Sequence, residues 1–225
     1  MSLREIIFDT ETTGFDPFSG DRLIEIGCIE MIDKVLVSGK TFHEYCHPER
    51  DIPESAQKIH GISLEMLTDK PRFHEIAQAF LDFVGDDSIL VAHNADFDIK
   101  FVNWELENAG LAPLPRDRFK DTLALARAKF PGSPNSLDAL CKRFGVENGH
   151  RSLHGALLDS EILADVYIEL EGGRQAGLAL NTSTDNMLSK RKRKPREARS
   201  FPASESELSA HQTLIDALQD PVWRR

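Results

Sequence analysis

Cysteine is scarce in this chain: Cys28, Cys46 and Cys141 are the only three in 225 residues, odd in number and widely spaced within apolar segments. Such a set makes no disulfide framework, and without a CxxC pair it makes no structural zinc site; it fits reduced thiols in a core. No apolar run approaches the roughly 20 residues that cross a bilayer, and the opening Met-Ser-Leu-Arg-Glu carries no secretion pattern, so no membrane contact and a cytoplasmic location are expected. Residues 1–170 are also short of positive charge, with 17 Lys+Arg against 30 Asp+Glu, a balance of -13. That argues against passive electrostatic binding of nucleic acid, which depends on Lys and Arg displacing counterions. For a nucleic-acid substrate, metal ions would have to supply the positive charge.

What is present begins with Phe8-Asp9-Thr10-Glu11-Thr12-Thr13-Gly14. The Ile- and Phe-rich run from Glu5 to Thr10 reads as a buried strand, and alternation turns Asp9 and Glu11 to one side, Phe8 and Thr10 to the other. Two acids on one face either share a hard divalent cation or are surface acids at a strand end. The stretch alone leaves both readings open.

Gly14, Pro17 and Gly20 mark a loop, after which Arg22 to Ile32 and Lys34 to Cys46 read as strands joined tightly at Asp33-Lys34, completing an antiparallel meander. A short helical turn is expected to stop at Gly61, leaving His60 as a cap or surface residue unless other residues give it a role. Pro71 opens a helix with Phe73, Ile76, Ala77, Phe80 and Phe83 on its core stripe. The strand Ser88 to Ala92 runs into His93-Asn94-Ala95-Asp96-Phe97-Asp98 and a further helix. Asp96 and Asp98 suit a helix start, but a strand-to-helix junction is also where α/β folds hold ligands. A second junction at Phe119 to Thr122 precedes helices over Thr122 to Phe130, Ser136 to Phe144 and Gly155 to Glu171. His154 and Asp159 fall together at the start of the last. The pattern predicts an α/β fold, a mixed central sheet flanked by helices.

Composition changes at Gly172-Gly173, where residues 1–171 give way to an expected flexible C-terminal tail. Residues 172–204, with the basic run Lys190 to Lys194, read as a linker, and 205–225 as a terminal segment with Leu208, His211, Ile215 and Leu218 at helical spacing. The apolar island at 175–180 and the terminal segment read either as docking segments or as tail with incidental hydrophobes. The basic run reads as a solvated linker more readily than as a nuclear import signal.

If the sheet gathers Asp9, Glu11, Asp98, His154 and Asp159, the acids can hold two divalent ions, Mg²⁺ or Mn²⁺, for in-line displacement at phosphorus, with His154 as general base. The order Asp9-x-Glu11, Asn94-Ala95-Asp96-Phe97-Asp98 and His154-x-x-x-x-Asp159 resembles the DEDDh family of 3′→5′ exonucleases over residues 3–170. The resemblance implies a ribonuclease H-like fold, metal ligation by Asp9, Glu11, Asp98 and Asp159, and His154 as base. It also implies contacts to the terminal nucleotide from Asp9, Glu11, Thr12, Thr13, Gly14, His60, Asn94 and Asp159. Asp98, directly after Phe97, takes the family position in preference to Asp96. Some relatives carry a Glu five residues before the His60 equivalent; here that place is Ser55, with Glu54 next to it, and the role of Glu54 stays open.

Within the family, the likeness is greatest to the proofreading epsilon subunits of bacterial DNA polymerase III, and His154-Gly-Ala-Leu-Leu-Asp159 carries it. Gln175, Leu178 and Leu180 resemble a sliding-clamp binding motif, and 205–225 resembles the part that tethers such subunits to the polymerase alpha subunit. A single-stranded or frayed DNA 3′ end is then the expected substrate, and tethering answers the acidic charge by raising local concentration. Two rivals stand: a stand-alone DEDDh enzyme that trims RNA or oligoribonucleotides, which the tail argues against, and a binding scaffold, which the intact acid set argues against.

Overall fold

The computed structural model describes residues 2–148, 153–173 and 202–218. They fall into two units, one within 1–178 and one within 179–225. In the first, strands β1 (Arg4–Thr12), β2 (Leu23–Ile32) and β3 (Val35–Tyr45) form the expected meander. Asp33 and Lys34 both take positive φ, 49° and 65°, the two-residue turn whose twist matches that of the strands it joins. Helices α1 (Glu54–His60), α2 (Leu64–Leu67) and α3 (Phe73–Val84) carry the chain across to β4 (Ile89–Ala92). Helix α4 (Ala95–Asn108) then leads to β5 (Phe119–Asp121), and α5 (Thr122–Lys129), α6 (Leu137–Phe144) and α7 (Ala156–Leu170) complete the unit.

The sheet order is β3-β2-β1-β4-β5, with β4 and β5 parallel to β1. The carboxyl ends of β1, β4 and β5 therefore open on one edge, where parallel α/β sheets place ligands. The mixed sheet flanked by helices is thus the one the sequence pattern implies.

The alternation in β1 divides the core. Ile6 and Phe8 pack with Phe73, Phe80 and Val102 from α3 and α4, whereas Ile7 packs with Met31, Leu163 and Tyr167 beside α7. Asp9 and Glu11 continue the Ile7 side, as their spacing predicts. Gly27, paired with Asp9 across the β1–β2 ladder, allows α7 to approach that face: a Cβ here would lie 2.3 Å from the Leu157 nitrogen. The Ser160 hydroxyl donates to the Gly27 carbonyl at 2.9 Å, holding the helix there.

All three cysteines are buried free thiols, and burial raises the Cys28 and Cys46 pKa values well above the ordinary range. Among the described residues no helix is long and apolar enough to cross a membrane. In the second unit, α8 (Glu205–Ala217) starts at a capping box in which Ser204 and Glu207 satisfy each other's backbone N–H groups. Leu208, Leu214 and Leu218 are exposed. Gln175, Leu178, Leu180 and the basic run lie outside the described residues, as does 219–225.

Candidate active site

β1 delivers Asp9 and Glu11 to the carboxyl edge of the sheet, and the tight approach of α7 brings Asp159 to the same side. Asp98 arrives from the other side, in the first turn of α4, and meets β1 where the Thr10 hydroxyl donates to its Oδ1 at 2.6 Å. Asp9, Glu11, Asp98, His154 and Asp159 all line one cavity of about 850 Å³. Ligand atoms of Glu11, His154 and Asp159 lie within 4.8 Å of one another, a spacing at which three side chains can hold a metal ion.

Burial sharpens the electrostatics. Glu11, Asp98 and Asp159 are 8%, 3% and 2% exposed. Loss of solvation pushes the Asp98 carboxyl up to about 7, against the opposing effect of the Thr10 hydrogen bond, and nearby Asp121 adds to the rise. Buried carboxylates gathered in one cavity call for cationic compensation, and an oxygen-rich donor set with one imidazole suits a hard or borderline divalent ion. The residues therefore fit divalent metal.

Asp96 is a different kind of residue from Asp98. It is mostly exposed and pairs with Arg116, outside the cavity lining. Asn94 sits in the left-handed region, φ 71°, at the turn into α4. Its N–H is held by the Asp121 carboxylate at 3.0 Å.

His154 Nδ1 meets Asp159 Oδ2 at 3.1 Å. With Asp159 ionised this fixes Nδ1 as the donor, so Nε2 is the nitrogen able to accept a proton. The His154 backbone N–H donates to the Ile59 carbonyl at 3.1 Å, which ties it to the end of α1. There His60, 5% exposed, accepts the Ile62 N–H on Nδ1 at 3.0 Å. Its proton is thereby assigned to Nε2, which is buried without a partner among the described residues. Burial also lowers the His60 pKa, with His154 reinforcing and Glu25 opposing.

His60 belongs to a second, smaller cavity of about 200 Å³ lined by Thr12, Thr13, Gly14, Phe15, Ser55, Ala56, Ile59 and Phe97. It shares Thr10, Glu11 and Phe97 with the first. The Thr12 hydroxyl donates to the Gly14 carbonyl and the Thr13 hydroxyl accepts the Arg22 N–H, so both shape the turn as well as lining the cavity. Ser55 lines it and Glu54 does not; Glu54 pairs with Lys58 on an exposed face.

Sequence pattern did not single out Phe97, which lines both cavities, or Arg127, Ser133, Asn135 and Ser136, which line the larger one. Phe97 enters the sequence reading only as the neighbour of Asp98 in the motif. The others carry no spacing signal, since Arg127 on α5 and Ser133, Asn135 and Ser136 in the connection to α6 reach the site only through how these elements pack.

Comparison with known proteins bears on the family and the fold. The Exonuclease (RNase_T) family model matches residues 6–167. A DNA polymerase III subunit epsilon from Rickettsia felis is 54% identical over 83% of each chain. One from Salmonella typhimurium is 41% identical over 98% of this chain and 97% of its own. Among solved structures, exonuclease X in complex with 5′ overhanging duplex DNA is 29% identical, with a TM-score of 0.56 over 75% of this chain and 90% of that one. E. coli exonuclease I bound to a dA16 oligonucleotide, at 19% identity and a TM-score of 0.62, shares the fold over 74% of this chain and 41% of its own. With its ribonuclease H-like fold and its divalent-metal chemistry, the chain belongs to the Exonuclease family and is an epsilon-like 3′→5′ exonuclease of the DEDDh type.

Proposed function

We propose that this chain is the proofreading exonuclease of a bacterial DNA polymerase III, hydrolysing the 3′-terminal phosphodiester of DNA and releasing nucleoside 5′-monophosphates. The observation that carries the reading is the meeting of Glu11, His154 and Asp159 in a cavity that adjoins a smaller pocket through Thr10, Glu11 and Phe97. The smaller pocket takes the last nucleoside, with the His60 Nε2–H offered as a donor and Phe97 and Phe15 as aromatic surfaces. Asp9, Glu11, Asp98 and Asp159 would hold two divalent ions, Mg²⁺ or Mn²⁺, whose chemistry is to activate a water and stabilise the leaving oxygen. His154 takes the proton of the attacking water at Nε2, and Asp159 keeps the ring in the tautomer that can do so.

A mismatched terminus is already unstacked and enters a confined pocket more readily than a paired one, giving selectivity without sequence reading. The tail brings that terminus near. Gln175, Leu178 and Leu180 bind a sliding clamp and 205–225 binds the polymerase alpha subunit, placing the enzyme in a cytoplasmic, nucleoid-associated replisome. Support comes from the likeness to the Salmonella typhimurium relative, which runs through the tail, and from the exposed leucines of α8.

The test is release of mononucleotides from the 3′ end of single-stranded DNA with Mg²⁺ or Mn²⁺, run beside an RNA oligonucleotide. Full activity in His154→Ala or Asp9→Ala sinks the mechanism, and a preference for RNA favours the stand-alone trimmer.

A further inference from the structure

The scissile phosphorus carries two organic substituents. On the reading above, one is the terminal nucleoside, which fills the pocket of His60. The other is the next nucleotide on the 5′ side, whose O3′ is the leaving group and which must depart through the remainder of the larger cavity. That remainder comes from α5, α6 and the loop between them: Arg127, Ser133, Asn135 and Ser136.

Arg127 is the sole Lys or Arg among the cavity's lining residues, and among the described residues it has no hydrogen-bond or ion-pair partner. The loop beside it is organised in advance. Asn135, 8% exposed, donates from Nδ2 to the carbonyls of Phe130 at 3.3 Å and Ser133 at 2.9 Å. Two carbonyls can be met only by the NH₂ end, so the amide orientation is fixed and Oδ1 is left buried with no partner among the described residues. Ser136 Oγ accepts the Ala139 N–H at 3.3 Å, leaving its own proton to donate, and Ser133 carries a second hydroxyl. Asp138 also lines this wall, with its Oδ1 receiving Asn148 Nδ2 at 3.3 Å. One guanidinium, two hydroxyls and a buried amide oxygen in a braced loop match an anion carried on a group that also donates hydrogen bonds. A nucleotide within a chain is such a group.

We propose that this wall is the subsite for the nucleotide 5′ to the scissile bond, with Arg127 binding its phosphate and the Ser133 and Ser136 hydroxyls beside it. The ligand class is a single-stranded nucleic-acid backbone of at least two phosphates. The subsite holds the strand that remains after cutting, so its contribution falls on substrate binding and not on the chemical step.

The test uses the full chain with Mn²⁺ and two substrates: thymidine 5′-(p-nitrophenyl phosphate), which has no nucleotide 5′ of its scissile bond, and a dT10 oligonucleotide. In Arg127→Ala the ratio of kcat/KM for dT10 to that for the ester falls about tenfold, as expected for loss of one phosphate contact, with the change residing in KM. The slope of log KM against log salt for dT10 falls by about 0.7, one single-strand phosphate. Arg127→Lys recovers most of the ratio. An unchanged ratio, or an equal loss on both substrates, overturns the subsite while leaving the nuclease reading intact. Wild-type protein that hydrolyses neither substrate overturns the nuclease reading and the subsite with it.

Discussion

The Ser160 hydroxyl and the Gly27 carbonyl, 2.9 Å apart, pin α7 to β2 at the register position that faces Asp9. The spacing between the acids of β1 and the His154–Asp159 pair therefore depends on a residue with no side chain. In Gly27→Ala the new methyl meets α7 backbone at 2.3–2.5 Å, and a helix backbone has no rotamer with which to yield. We expect kcat to fall about 100-fold, the scale of an ångström-sized misplacement at a reacting centre. Ser160→Ala removes only the hydrogen bond and lowers stability by about 1 kcal/mol with a smaller kinetic effect. Steady-state kinetics and thermal melts of the two variants check this, and near-wild-type kcat in Gly27→Ala refutes it.

As a metal ligand of the proposed mechanism, Asp98 would set activity against stability. Its folded pKa is raised, so metal-free folded protein binds its proton more tightly than the unfolded chain, and ionisation above the ordinary value of 3.8 disfavours folding. The penalty grows as pH rises from that value and is complete above about 7. Asp98→Asn removes the charge and can still accept the Thr10 hydroxyl. Its metal-free melting temperature at pH 8 should exceed that of wild type by at least about 2–4 °C, the scale of 1 kcal/mol in a chain of this size, while nuclease activity is lost. A lower melting temperature than wild type contradicts the assignment of the shift to desolvation.

His60 makes a prediction of the opposite sign. Its folded pKa is depressed below 6.5 by burial, so the unfolded chain takes up the proton first and stability is lost as pH falls through 6.5 and below. His60→Gln abolishes that uptake. The difference in melting temperature between wild type and variant should move in the variant's favour from pH 7.5 to pH 5.5. Parallel curves across that range would falsify it.

Deleting residues 205–225 should abolish binding to the polymerase alpha subunit while leaving nuclease activity on free oligonucleotides intact. Replacing Gln175, Leu178 and Leu180 together by Ala should remove clamp binding alone. Co-elution of the chain with each partner on a sizing column, before and after the changes, reads both.

The fold was legible because β1 states its own geometry: Ile7, Asp9 and Glu11 share one side of the sheet in the sequence pattern and in the core. The motifs at Asp9, Asp98 and His154 were legible for the same reason, each sitting at the end of a strongly patterned element. Choosing between Asp96 and Asp98 took the family likeness, since both suit a helix start, and burial now separates them. Arg127 and Asn135 were invisible because their position depends on how α5 packs and where the α5–α6 connection folds back, tertiary facts with no local signature. Gly27 was invisible too, because its importance lies in what α7 requires of it.

The backbone hydrogen bond from His154 to Ile59 has a consequence for coupling. It joins His154, the base of the proposed mechanism, to the helix α1 whose residues Ser55, Ala56, Ile59 and His60 line the smaller cavity. The same helix end carries His60, so one short segment bears on both histidines. The two residues should then behave as an interlock, so that losing both harms the enzyme less than the product of the separate losses.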